Sequence, residues 1–133
     1  TFRKLVLENI QSDSNKVGIL GLSFKPHTPI IVESSSIKLI RALLERKVKV
    51  DVYDPKAMVE CEKVFDKKID YSESIENCVK NSDIIVIATP WPQFSDIENL
   101  LDDKTVIDCW RILDKEKLAN VNYKAVGIGN LRK

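Results

Sequence analysis

Short apolar runs alternate with helical patterns from Val17 onward. VGIL at 17–20, VKVDVY at 48–53, DIIVIAT at 83–89, TVIDC at 105–109 and AVGIG at 125–129 read as strands, with a weaker strand near Lys68 to Tyr71. The runs at 17–20 and 84–88 are apolar without interruption, as in parallel strands covered on both faces. Between the first two strands lies SSSIKLIRALLERK, where Ile37, Ile40, Leu43 and Leu44 recur at helical spacing behind a serine N-cap, so those strands must be parallel. Further helices are predicted at 72–80, 95–101 and, briefly, 114–119. This βαβ rhythm predicts an α/β fold: a Rossmann-like, doubly wound, mostly parallel sheet with helices on both faces. One helix precedes it, marked by Phe2, Leu5, Val6 and Ile10 and followed by the polar connector QSDSNK. The expected division is 1–15 as the end of a linking helix with its connector, and 16–133 as the α/β domain. A chain that opens inside a helix without a cap signal is expected to be part of something longer.

Composition narrows the classes of partner. At 133 residues the chain fits one domain with one core. Its 21 basic and 20 acidic residues nearly cancel, which gives no electrostatic support for nucleic-acid binding. No apolar run has the length of a membrane span and no signal-peptide pattern follows Thr1, so a cytoplasmic location without membrane attachment is expected. Cys61, Cys78 and Cys109 form no CxxC pair and are joined by a single His, which points to reduced structural thiols and no metal site.

In an open α/β sheet, ligands bind beyond the carboxyl ends of the strands. The residues at those ends are Phe24, Lys25, His27 and Thr28 after the first strand and Asp54 after the second. Thr89, Pro90 and Trp91 stand at the end of the run at 83–89, and Asp108, Trp110 and Arg111 stand at or just past the end of the run at 105–109. Gly18 and Gly21 are spaced GxxG, short of the GxGxxG dinucleotide fingerprint, and read as strand-end glycines relieving crowding. Asp54 stands where a ribose-binding acid would sit and equally where an acid would initiate the turn before Pro55. His27 reads as a loop residue, Ser34 to Ser36 as helix caps. Lys25, a cation placed directly at a strand's carboxyl end, is suited to meet a carboxylate or phosphate.

Taken in order, GLSFKPHT…ESSS, VYDPKA, TPWPQF and VIDCWRILD resemble the C-terminal domain of the UDP-glucose and GDP-mannose dehydrogenase family, from about Lys16 to Asn130. The family's GLAFKPxTDDxRxSP motif is matched by Gly21, Leu22, Phe24, Lys25, Pro26, Thr28, Glu33 and Ser34, and its TxWxxF pattern by Thr89, Trp91 and Phe94. The resemblance implies that Phe24 and Lys25 contact a nucleotide-sugar. The family's late DGRN motif reads Asp108-Cys109-Trp110-Arg111 here, so Trp110 holds the substrate-contacting arginine position and Arg111 follows it. Pro29 and Ile30 replace two acids, and Val32 replaces an arginine that contacts NAD, which speaks against a cofactor contact from this domain.

The resemblance further implies a longer enzyme. Its N-terminal Rossmann domain would bind NAD and its central helical region would carry the cysteine nucleophile. The reaction would be a double oxidation of the C6 alcohol of a UDP-sugar to a carboxylate, with UDP-glucose as substrate and UDP-N-acetylmannosamine as the alternative. On this reading the partners of the chain are the UDP-sugar and the enzyme's other two domains, the full-length protein is a homo-oligomer, and the present chain alone does not turn over. The competing expectation is a non-catalytic nucleotide-binding or scaffolding module on the same fold.

Overall fold

A computed structural model describes residues 2–8, 10, 15–22 and 35–125 of the chain. Its elements run α1 (Phe2–Glu8), β1 (Lys16–Leu20), α2 (Ser35–Glu45), β2 (Lys49–Tyr53), α3 (Met58–Phe65), β3 (Asp70–Tyr71), α4 (Ile75–Lys80), β4 (Ile84–Ile87), β5 (Thr105–Asp108) and β6 (Asn122–Ala125). The strands form one sheet in the order β3-β2-β1-β4-β5-β6, and every pairing is parallel. The strand order reverses between β1 and β4, which makes their carboxyl ends the topological switch point.

Successive side chains of a strand point to opposite faces, and here each face has its own core. Val17, Ile19, Val50, Val52, Ile84, Val86 and Ile107 lie in one cluster with Val6 of α1, Leu39, Ile40 and Leu43 of α2, and Cys61 and Phe65 of α3. Leu20, Ile85, Ile87 and Val106 lie in the other with Cys78 and Val79 of α4 and Phe94, Ile97 and Leu101 of the β4–β5 connection. Burial on both faces is why β4, IIVI, carries no polar residue at all.

Several sequence expectations are corrected. The segment at 58–65 is a helix that periodicity misses, because only Cys61 and Phe65 are buried on it while Val59 and Val64 face solvent. The helix expected at 95–101 is two 3₁₀ turns, Pro92–Asp96 and Glu98–Leu100, and the one at 114–119 is a single turn, Lys115–Lys117. α4 begins only at Ile75, behind Ser74, whose hydroxyl accepts from the Asn77 amide at 3.1 Å. The last strand lies at Asn122–Ala125; it is a half-exposed edge without an apolar run, and residues 126–129 of the expected strand fall outside the described residues. Ser36 does not cap α2 but is buried within it, donating from its hydroxyl to the Gly21 carbonyl at 2.6 Å.

Candidate functional site at the carboxyl edge of the sheet

At the switch point the chain leaving β1 and the chain leaving β4 touch. Gly21 has a φ of +104°, and a Cβ there would lie 2.5 Å from Thr89 Cβ and 2.6 Å from Thr89 N. Only glycine fits. The Gly21 amide donates to the Tyr53 carbonyl at 2.8 Å, and the Leu22 amide donates to Asp54 Oδ2 at 2.7 Å. The first two amides after β1, which in a dinucleotide-binding turn would face a pyrophosphate, are thus committed to the protein itself. Gly21 serves close packing, as its spacing in the sequence predicts, and these described residues do not fit a dinucleotide phosphate.

Asp54 is buried at the end of β2. Its Oδ1 accepts from the Lys56 and Ala57 amides at 2.8 and 2.9 Å, which orders the turn into α3. Its Oδ2 accepts from the Leu22 amide and, at 3.2 Å, from the Trp91 indole. Of the two readings that the sequence leaves open, turn initiation is the one realised, and it extends to two other loops. Trp91 and Phe94 of TPWPQF are buried, with the Phe94 ring edge-on to Tyr53 at 6.4 Å between centroids. That motif is a packing device.

Asp108, fully buried at the end of β5, organises the neighbouring loop. It accepts from the Trp110 amide at 3.2 Å, the Leu113 amide at 2.9 Å and the Tyr123 hydroxyl at 2.9 Å. Cys109 and Trp110 form a turn, and Arg111 follows at a left-handed φ of 55°. The segment is therefore not extended, and the alternation of neighbouring side chains that an extended strand would impose does not govern Arg111. Trp110 packs against the core and donates its indole N–H to the Ala88 carbonyl at 3.0 Å. Arg111 is exposed and lines an open cleft of about 330 Å³ with Asp114, Lys115, Glu116, Tyr123 and Ala125. Lys115 Nζ lies 5.9 Å from the centre of the Tyr123 ring. Burial first, then the hydrogen bond and charge of Asp108, push the Tyr123 hydroxyl upward in pKa, while the Arg111 charge draws it down. Two cations, Arg111 and Lys115, thus share the cleft at the carboxyl ends of β5 and β6 with one phenol and two acids, Asp114 and Glu116, so its charges balance.

Phe24, Lys25, His27 and Thr28 lie outside the described residues, as do Pro29, Ile30, Val32, Glu33 and Ser34. Lys115 and Tyr123 escape sequence reasoning because neither adjoins a strand end in an apolar run; the tyrosine inside the polar NYKA strand is the only local signal. The three cysteines are free and buried. Burial, and secondarily the charge of Asp54, pushes the Cys61 thiol up to about 12; burial likewise raises Cys78 and Cys109. Such thiols are protonated at neutral pH and are poor nucleophiles. Among the described residues no group of three or more His, Cys, Asp or Glu side chains could hold a metal ion, and no helix is long and apolar enough to cross a membrane.

A six-stranded all-parallel sheet in this order, with its loops tied together at the switch point and an open cleft at the same edge, defines a Rossmann-like nucleotide-binding domain. The chain belongs to the UDP-glucose/GDP-mannose dehydrogenase family, whose UDP binding domain it matches over residues 18–115. It is 35% identical over 116 residues to the UDP-glucose 6-dehydrogenase AglM of Haloferax volcanii, covering 85% of this chain and 27% of that protein. It is 32% identical over 119 residues to the UDP-glucose 6-dehydrogenase YwqF of Bacillus subtilis, covering 84% and 27%. Among solved structures, a UDP-glucose dehydrogenase from Pyrobaculum islandicum superposes with a TM-score of 0.74 at 29% identity, over 96% of this chain and 28% of that one. The chain therefore spans about a quarter of the length of the relatives it matches.

Proposed function

We propose that this chain is the nucleotide-sugar-binding part of a longer NAD-dependent UDP-sugar 6-dehydrogenase, with UDP-glucose as the substrate. The observation that carries this reading is the family match over residues 18–115, with relatives that are UDP-glucose 6-dehydrogenases. Within it, Phe24 and Lys25 hold the nucleotide-sugar, as the family's FK pair does. Arg111, projecting from its left-handed position into the cleft, supplies the charge that Trp110, bonded to the Ala88 carbonyl, does not. NAD binds to an N-terminal domain outside this chain. That assignment is supported by the committed amides of Gly21 and Leu22. The nucleophilic thiol likewise comes from elsewhere, because burial keeps Cys61, Cys78 and Cys109 protonated. The task left to this chain is to bind and orient the UDP moiety, while residues 1–15 lead in from the enzyme's central region. The full-length protein works as a cytoplasmic homo-oligomer.

Titration of the chain with UDP, followed by amide NMR, is expected to move the resonances of residues 24–28 together with those of Arg111 and Tyr123. Unmoved resonances at millimolar UDP would overturn the reading. The tethered Trp110 in an arginine position favours, as a second reading, a module that binds nucleotide without catalysis. An open reading frame lacking an upstream GxGxxG segment and a cysteine-bearing helical region would decide for it.

A further inference from the structure

We propose that Asp54 is a positioning residue for nucleotide-sugar binding: its buried carboxylate sets the direction in which the chain leaves β1 and locks that departure to the loops after β2 and β4. The proposal rests on the nucleotide-sugar reading above. Three of the four segments that carry the family likeness meet at this one side chain. GLSFK contributes the Leu22 amide at 2.7 Å; VYDPK contributes Asp54 with the Lys56 and Ala57 amides at 2.8 and 2.9 Å; TPWPQF contributes the Trp91 indole at 3.2 Å.

The chemistry requires a carboxylate. All four of these partners are N–H donors, and an ionised carboxylate is a pure acceptor with room for four. An asparagine of the same shape can serve two of them and must turn its own N–H groups toward the other two, whichever way the amide is flipped. Bonds to an ionised acceptor are also shorter and stronger than neutral ones. Asp54 is 1% exposed, so water does not replace a lost bond there. Leu22 is three positions before Lys25 in the chain, and Lys25 is proposed above to meet the ligand. Backbone displacement of about 1 Å is enough to lose much of the benefit of positioning.

The test compares the wild-type chain, Asp54→Asn and Trp91→Phe by amide NMR titration with UDP and by urea unfolding. The folded Asp54→Asn chain is expected to bind UDP about tenfold more weakly, as loss of oriented charge-assisted bonds implies, with the Leu22 amide proton shifted upfield. A role confined to stability would move the urea midpoint and leave the affinity of the folded chain unchanged, and that result overturns the proposal. If Asp54→Asn does not fold, Trp91→Phe decides: weaker UDP binding with a displaced Leu22 amide supports the proposal, and wild-type affinity with an unmoved Leu22 amide overturns it. Failure of the wild-type chain to bind UDP overturns the nucleotide-sugar reading and this proposal with it. Wild-type binding matched by folded Asp54→Asn overturns this proposal alone.

Discussion

Replacing Gly21 by alanine adds one methyl group at the point where β1 hands over to its loop. Its backbone has a φ of +104°, and the new Cβ would stand 2.5 Å from Thr89 Cβ, 2.6 Å from Thr89 Oγ1 and 2.6 Å from Thr89 N, against 3.4–4 Å for ordinary contact. A left-handed conformation costs an L-residue about 1–2 kcal/mol. Overpacking a fixed site adds about 1–3 kcal/mol, and here one of the crowded atoms is backbone, which no side-chain rotation removes. The smaller conformational freedom of alanine in the unfolded chain returns about 0.4–1 kcal/mol. The expected net loss is about 1–5 kcal/mol, a large part of the ~5–15 kcal/mol typical of a domain. Equilibrium urea unfolding of wild type and Gly21→Ala, followed by tryptophan fluorescence, measures it. Gly18→Ala is the control, because its Cβ would meet Ser82 Oγ at 2.5 Å, a side-chain atom, and its backbone φ is not left-handed. Gly21→Ala should therefore gain little from Thr89→Ala, whereas Gly18→Ala should recover in part with Ser82→Ala. Gly21→Ala within about 0.5 kcal/mol of wild type, the range of an ordinary surface substitution, would refute the reasoning.

Two further outcomes are expected. Arg111→Gly relieves a left-handed φ of 55° and should leave stability unchanged or raise it by up to about 1 kcal/mol, while weakening UDP binding in the same NMR titration; unchanged UDP affinity would remove Arg111 from the site. The Cys61 thiol rises from its ordinary 9.0 to about 12 on folding, so its contribution to stability is fully present below pH 9 and is lost as pH rises through about 12. Urea midpoints taken upward from pH 9 should fall, less steeply in Cys61→Ala, and a thiol reagent at neutral pH should label the native chain far more slowly than the unfolded one. Rapid labelling of native Cys61 would contradict its burial.

The apolar runs of β1 and β4 determined by themselves that a parallel sheet is covered on both faces, because a strand with both faces dry admits a polar side chain only where the protein supplies its hydrogen bonds. The amphipathic spacing of Ile37, Ile40, Leu43 and Leu44 likewise determined α2, and four ordered motifs determined the family. Where the chemistry was local, reading along the chain sufficed. It failed at α3, whose buried stripe reduces to Cys61 and Phe65, and at β6, a half-exposed edge whose side chains need not alternate. What only the tertiary structure decided is the purpose of the motif residues. Asp54 finds its partners 32 and 37 positions away, and Trp110 is tied to a carbonyl 22 positions back. Hydrogen bonds of that range are set by the order of strands in the sheet, which brings the ends of β1, β2 and β4 together at one edge, and no pattern along the chain records that order.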